Sequence, residues 1–87
     1  MIARECTIRN KLGLHARPSA QVTQTAGRFA SDVWIGRDGR RVNAKSIMGV
    51  MMLAAGPGTV LRIEADGPDE EQAVQTLADL IDKGFGE

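Results

Sequence analysis

An α+β fold of two layers, an open-faced β-sandwich with three helices covering one side of a four-stranded, mostly antiparallel sheet, is the architecture this sequence predicts. Three observations lead to it. Several short runs alternate apolar and polar residues with a period of two, and two of them flank Asp38-Gly39. Other stretches repeat their apolar residues with the helical period. Finally, 87 residues make one domain, 1–87, with a single core that buries roughly 60 to 65% of the unfolded chain's surface, too little for a deep enclosed site. The predicted order is β-α-β-β-α-β-α.

Ile2, Cys6 and Ile8 occupy even positions, interrupted by Arg4, and mark a first strand with one buried face. Cys6 is then a core residue, since only Arg4 is near enough in sequence to lower its pKa. A loop containing Gly13 follows. Pro18 lacks an N–H and has its φ preset near the helical value, so it belongs in a first turn, and the first helix is expected to start at Ala16. Ala16, Ala20, Val22, Thr23 and Ala26 give that helix a small-residue face, and Gly27 closes it. Phe29 to Gly36, which carries Val33, Trp34 and Ile35, holds the second strand. Asp38-Gly39 then supplies the residues of a two-residue type I′ hairpin, and Arg40 to Asn43 forms the third strand. The arginines at 37, 40 and 41 read as a solvated edge that discourages aggregation.

Ser46 is placed to cap a short helix whose residues, Ile47 to Leu53, are apolar nearly all round. So small a domain cannot bury every side of such a helix. Val50 and Leu53 are assigned to the core, which leaves Ile47, Met48 and Met51 as an exposed patch. Ala54 to Gly58 is a loop by its turn chemistry. Leu61, Ile63 and Ala65 alternate with Val60, Arg62 and Glu64 in a fourth strand. Ala73, Val74, Leu77, Ala78, Leu80 and Ile81 follow the helical period, with Asp69, Glu70 and Glu71 in the favourable first turn and Gly84 at the end.

Composition excludes several functions. Eleven basic and eleven acidic residues cancel, and there are three aromatics, which argues against a nucleic-acid partner. One cysteine and one histidine cannot form a disulfide or a Cys/His metal site, so no metal and no cofactor is implied, and a cytoplasmic location is expected. No apolar run reaches the roughly 20 residues of a membrane span, and no signal-peptide pattern opens the chain, so no membrane association is expected. A monomer is expected.

The one histidine, His15, stands immediately before the first helix. No Ser/His/Asp or Cys/His spacing accompanies it, so acyl-transfer chemistry is not indicated. A histidine acting alone can still be a covalent nucleophile that carries a group. The positive helix end, with the amides of Ala16 and its successors, and the fixed charge of Arg17 favour a neutral ring that can attack. The same features stabilise a phosphoryl group once it has been accepted.

Gly13-Leu14-His15-Ala16-Arg17-Pro18 closely resembles the active-site motif of the HPr family, the histidine-containing phosphocarriers of the bacterial phosphoenolpyruvate-dependent phosphotransferase system. Lys45-Ser46-Ile47-Met48-Gly49-Val50-Met51 resembles that family's regulatory serine motif, and the resemblance covers essentially the whole chain. It implies that His15 accepts a phosphoryl group on Nδ1 from phosphorylated enzyme I and passes it to enzyme IIA proteins. Arg17 would stabilise the phosphoryl charge, with the helix start at Ala16 and Pro18 completing the site. Ser46 would be phosphorylated from ATP by HPr kinase/phosphorylase, and Ile47, Met48 and Met51 would belong to the docking surface. The chain is thereby expected to be a carrier and not a turnover enzyme. Asn10-Lys11-Leu12-Gly13 and Gly84-Phe85-Gly86-Glu87 look like the nitrogen-related branch, NPr. That likeness implies an alternative, a mainly regulatory docking protein of a nitrogen-type phosphotransferase system.

Overall fold

A computed structural model describes residues 1–87. The elements are β1 (Ile2–Thr7), α1 (Ala16–Ala26), β2 (Asp32–Arg37), β3 (Arg40–Asn43), α2 (Ile47–Met52), β4 (Val60–Asp66) and α3 (Glu70–Asp82), followed by a 3-10 turn at Gly84–Gly86. The sheet order is β1-β4-β2-β3. Every neighbouring pair is antiparallel, so the expected "mostly" antiparallel sheet is antiparallel throughout.

Period two decides which side of the sheet is covered. Val33, Ile35, Leu61, Ile63 and Ala65 are buried under the helices, and Ile35 pairs with Ile63 across the centre. Cys6 is buried, and removal from water pushes its thiol up, as fits an inert core residue. Ile8 continues the same face one residue past β1, held by bonds from its N–H to Thr59 O and from the Gly58 N–H to its carbonyl, both at 2.9 Å. Arg4 interrupts the apolar face by reaching out along α3, where Nη1 donates to Gln75 Oε1 at 3.1 Å. The hairpin forms as its sequence requires: Asp38 and Gly39 have φ of 50° and 79°, the pair of positive values that defines type I′. Arg41 lies over the Trp34 ring and within 3.5 Å of Glu64, and Arg37 pairs with Asp38, so the hairpin arginines are largely matched on a solvated edge.

The inward face of α1 differs from expectation. Pro18, Ser19, Val22, Thr25 and Ala26 are buried, whereas Ala16 is exposed and Ala20 and Thr23 are half-buried. Alanines and threonines define a helical phase only weakly. The phase is set by Val22, by Pro18, and by Ser19, whose hydroxyl donates to Leu14 O at 3.1 Å. Gly27 closes the helix in right-handed conformation, at φ −65°. In α3, Leu80 is only half-buried, while Ala73, Val74, Leu77, Ala78 and Ile81 form its core stripe.

Asp69, which precedes α3, ties the start of that helix to the segment entering the neighbouring strand β2 instead of capping it. Its carboxylate accepts from the backbone N–H groups of Ala30 and Ser31, each at 2.9 Å, and from the Ser31 hydroxyl. The Ser31 hydroxyl bond and the Ala30 amide together hold the Asp69 carboxyl below its ordinary range. A carboxyl lowered on folding stabilises the fold above its unfolded pKa of about 3.9 and loses that contribution as pH falls through the folded value. Asp69→Ala is therefore expected to melt several degrees below the parent at neutral pH. The gap should close on acidification from about pH 5 to about pH 2, where the parent's carboxylate is itself protonated. Thermal melts of both proteins across that range check the sign, and a gap independent of pH would contradict it.

Candidate functional site

His15 occupies the cap position of α1 with extended backbone, φ −74° and ψ −172°, and its side chain caps nothing. The ring is therefore free for other work. Its side chain is 35% exposed, and Nε2 lies 2.8 Å from Glu87 Oε2. A carboxylate can only accept, so in the neutral ring Nε2 carries the proton and Nδ1 keeps its lone pair. Nδ1 makes no hydrogen bond in the molecule.

The helix start beside the ring is open to an anion. Ser19 N–H donates to His15 O at 3.0 Å and is the first intrahelical bond of α1; Pro18 has no N–H, and the amides of Ala16 and Arg17 have no internal acceptor. Two donors and the dipole's positive end thus stand next to the imidazole. Arg17 is exposed and forms no ion pair or hydrogen bond, so its guanidinium is available to an incoming charge.

Glu87 is the member of this site that sequence reasoning did not find. Chain order separates it from His15 by nearly the whole protein, and only the folded path of the 3-10 turn after α3 returns it there. Asn10 Nδ2 donates to Glu87 Oε1 at 3.1 Å and to Gly13 O at 2.8 Å, joining the loop, the turn and the ring. The bond from Asn10, then that from His15, and the nearby charge of Arg17 hold the Glu87 carboxyl below the usual range.

The loop before His15 is fixed to the segment after α2. Leu14 N–H donates to Ala55 O at 2.9 Å. Gly13, at φ +63°, passes so close that a Cβ there would collide with the Ala55 carbonyl oxygen and lie 2.8 Å from Gly56 Cα. Gly13→Ala combines a left-handed alanine with a backbone clash, an expected loss of roughly 2 to 4 kcal/mol. In a domain of this size that lowers Tm by at least about 10 °C, and calorimetry reads it directly.

Ser46 is exposed and caps α2, accepting from Gly49 N–H at 3.2 Å. Val50 and Leu53 are buried. Ile47, Met48 and Met51 are exposed, and so are Met52 and Leu12, which were not singled out from sequence. Because α1 packs on α2, the His15 helix and the Ser46 helix share one side of the molecule. No hydrogen bond links Ser46 to the His15 network. A groove of about 450 Å³ lies on the uncovered sheet face among Glu5, Arg41, Arg62 and Glu64 and contains neither His15 nor Ser46.

Comparison with known proteins places the chain in a family and matches its fold. The PTS-HPr family, described as the PTS HPr component phosphorylation site, matches residues 2–83. The phosphocarrier protein HPr of Cupriavidus necator is 60% identical over 87 residues, covering 100% of this chain and 98% of that protein. A crystal structure of HPr-C-His from Thermoanaerobacter tengcongensis superposes with a TM-score of 0.96 at 49% identity, covering 100% of this chain and 98% of that one. A second structure from that organism, an HPr dimer, gives a TM-score of 0.80 at 52% identity over 92% of each chain. These relatives carry the HPr name, which does not favour the nitrogen-type alternative. By family match, full-length identity and superposition alike, the chain belongs to the HPr family.

Proposed function

We propose that this chain is a phosphocarrier of the phosphoenolpyruvate-dependent phosphotransferase system, accepting a phosphoryl group on His15 Nδ1 from enzyme I and donating it to enzyme IIA proteins. The observation that carries this reading is the unpartnered Nδ1 beside two free amides and Arg17, with Nε2 held by Glu87. The Nδ1 lone pair attacks phosphorus, a P–N bond forms, and the bond from phosphorus to the donor breaks. The ring becomes cationic as this happens, because Nε2 still carries its proton. Glu87, 2.8 Å from Nε2, offsets that charge or takes the proton. The Ala16 and Arg17 amides and the guanidinium receive the phosphoryl oxygens. The group then leaves by the reverse step, so the protein is a carrier and not a turnover enzyme.

Ser46 is the second phosphorylation site in this reading, modified from ATP by HPr kinase/phosphorylase. A dianion suits a helix N-cap, so the fold should tolerate it, while the charge alters the surface formed by Ile47, Met48 and Met51 on which partners dock. The protein acts in the cytoplasm, consistent with the lack of any helix long and apolar enough to cross a membrane. It works as a monomer, although the T. tengcongensis relative was crystallised as an HPr dimer. Incubation with enzyme I and labelled phosphoenolpyruvate is expected to give one acid-labile phosphate per chain, and ATP with the kinase an acid-stable one. No label from enzyme I, or an acid-stable one, would overturn the carrier reading.

A further inference from the structure

Asn10 is buried in a way that stability alone does not explain. Its Nδ2 donates to Gly13 O and Glu87 Oε1, but its Oδ1 is buried without any partner. A buried acceptor left unpaired is costly, and an apolar residue of similar size would avoid that cost. The amide cannot turn over to relieve it, since Gly13 O and Glu87 Oε1 are both acceptors and the nitrogen must face them. The donor of Asn10 is thus what this position supplies, and its target is the carboxylate that holds His15.

Glu87 needs such a hold. Its side chain is partly exposed and reaches His15 from a short turn, where an unsupported carboxylate would sample many rotamers. The backbone fixes one end: Phe85 is buried in left-handed conformation at φ 59°, and Gly84 lies against the Asn10 backbone. The Asn10 side chain fixes the other by taking Oε1, which leaves Oε2 aimed at Nε2.

The geometry assigns Asn10 as a positioning residue for His15: through Glu87 it keeps the Nε2–H tautomer populated and the Nδ1 lone pair exposed. This deepens the carrier reading and rests on Nδ1 being the accepting atom.

The test reads the tautomer itself. Full-length protein with ¹⁵N-labelled histidine is compared with Asn10→Ala, Glu87→Ala and the double variant at a pH where the ring is neutral. The parent is expected to be mainly Nε2–H. In Asn10→Ala the ratio of Nε2–H to Nδ1–H should fall about fivefold, the scale of losing an ordered but partly exposed hydrogen bond to a charge. In the Glu87→Ala background, Asn10→Ala should change the ratio no further. With enzyme I, Asn10→Ala should lower kcat for phosphoryl acceptance with KM within about twofold, since no docking residue is touched. A folded Asn10→Ala protein with the parent's tautomer ratio would overturn the assignment, whatever its Tm. Should Asn10→Ala not fold, Glu87→Ala decides: the Asn10 side-chain amide signals must move and His15 must lose its bias, and unchanged signals overturn the proposal. Phosphorylation and tautomer separate the two readings, because a chain that takes no phosphoryl group but shows these tautomer responses refutes the carrier function and upholds the network.

Discussion

His15→Ala is expected to accept no phosphoryl group from enzyme I while melting within about 3 °C of the parent. The loss is total because the chain holds no second histidine, and no other residue places a neutral ring nitrogen beside the free amides of α1. The fold should be indifferent for three reasons. The imidazole caps no helix, its backbone is in ordinary extended conformation that alanine adopts, and its one hydrogen bond is to a carboxylate that water can satisfy. Surface changes of this kind stay within about 0.5 kcal/mol, which in a domain of this size is a few degrees. Labelled phosphoenolpyruvate with enzyme I, read beside a thermal melt, separates the two effects. Acid-labile label at the parent's level in His15→Ala would mean that another atom accepts the group. Loss of label accompanied by unfolding would mean that His15 supports structure and has no demonstrated chemical role.

What the sequence made legible follows from how local each signal is. The Asp38-Gly39 hairpin is encoded by two adjacent residues that tolerate positive φ, and both adopt it. The buried sides of β2 and β4 follow from period two over residues that differ sharply in polarity, so their assignment needs no tertiary information. The cap at Ser46 is a contact across three residues. The face of α1 was harder to read, because a helix rich in alanine, serine and threonine has little polarity contrast and takes its phase from what it packs against. Met52 and Leu12 were missed for a related reason: a short helix apolar all round, and a loop, give no period from which to choose the outward side. Contacts of long sequence separation left no local mark at all. Asp69 grips Ser31 across 38 residues and Glu87 meets His15 across 72, and neither acidic residue differs in its neighbours from an ordinary helix-terminal charge. Half of the candidate site, namely His15, Arg17 and the helix start, was therefore readable as a motif. The other half, Glu87 and Asn10, depends on where the fold returns the chain.

Arg17→Ala should slow phosphoryl acceptance by about 10² to 10³ without disturbing the fold, on the scale of removing one preorganised charge from a developing anion. The argument rests on what Arg17 does not do. Its guanidinium forms no ion pair or hydrogen bond, so nothing structural is lost with it, and its field reaches the site strongly enough to contribute to the lowering of the Glu87 carboxyl. In the proposed transfer such a charge would be idle before the phosphoryl group arrives and would be used when that group's oxygens came to lie beside the Ala16 and Arg17 amides. Arg17→Lys discriminates between two ways of acting. If only charge matters, lysine should retain most of the rate. If the guanidinium binds phosphoryl oxygens through paired N–H donors, lysine should recover only part of it, because an ammonium is a point charge with no planar fork. Rapid-quench measurement of label transfer from enzyme I, with melts as a control, yields both comparisons. A rate within about threefold of the parent in Arg17→Ala would remove the guanidinium from the site and leave the helix amides and Glu87 as the groups that manage the transferred charge.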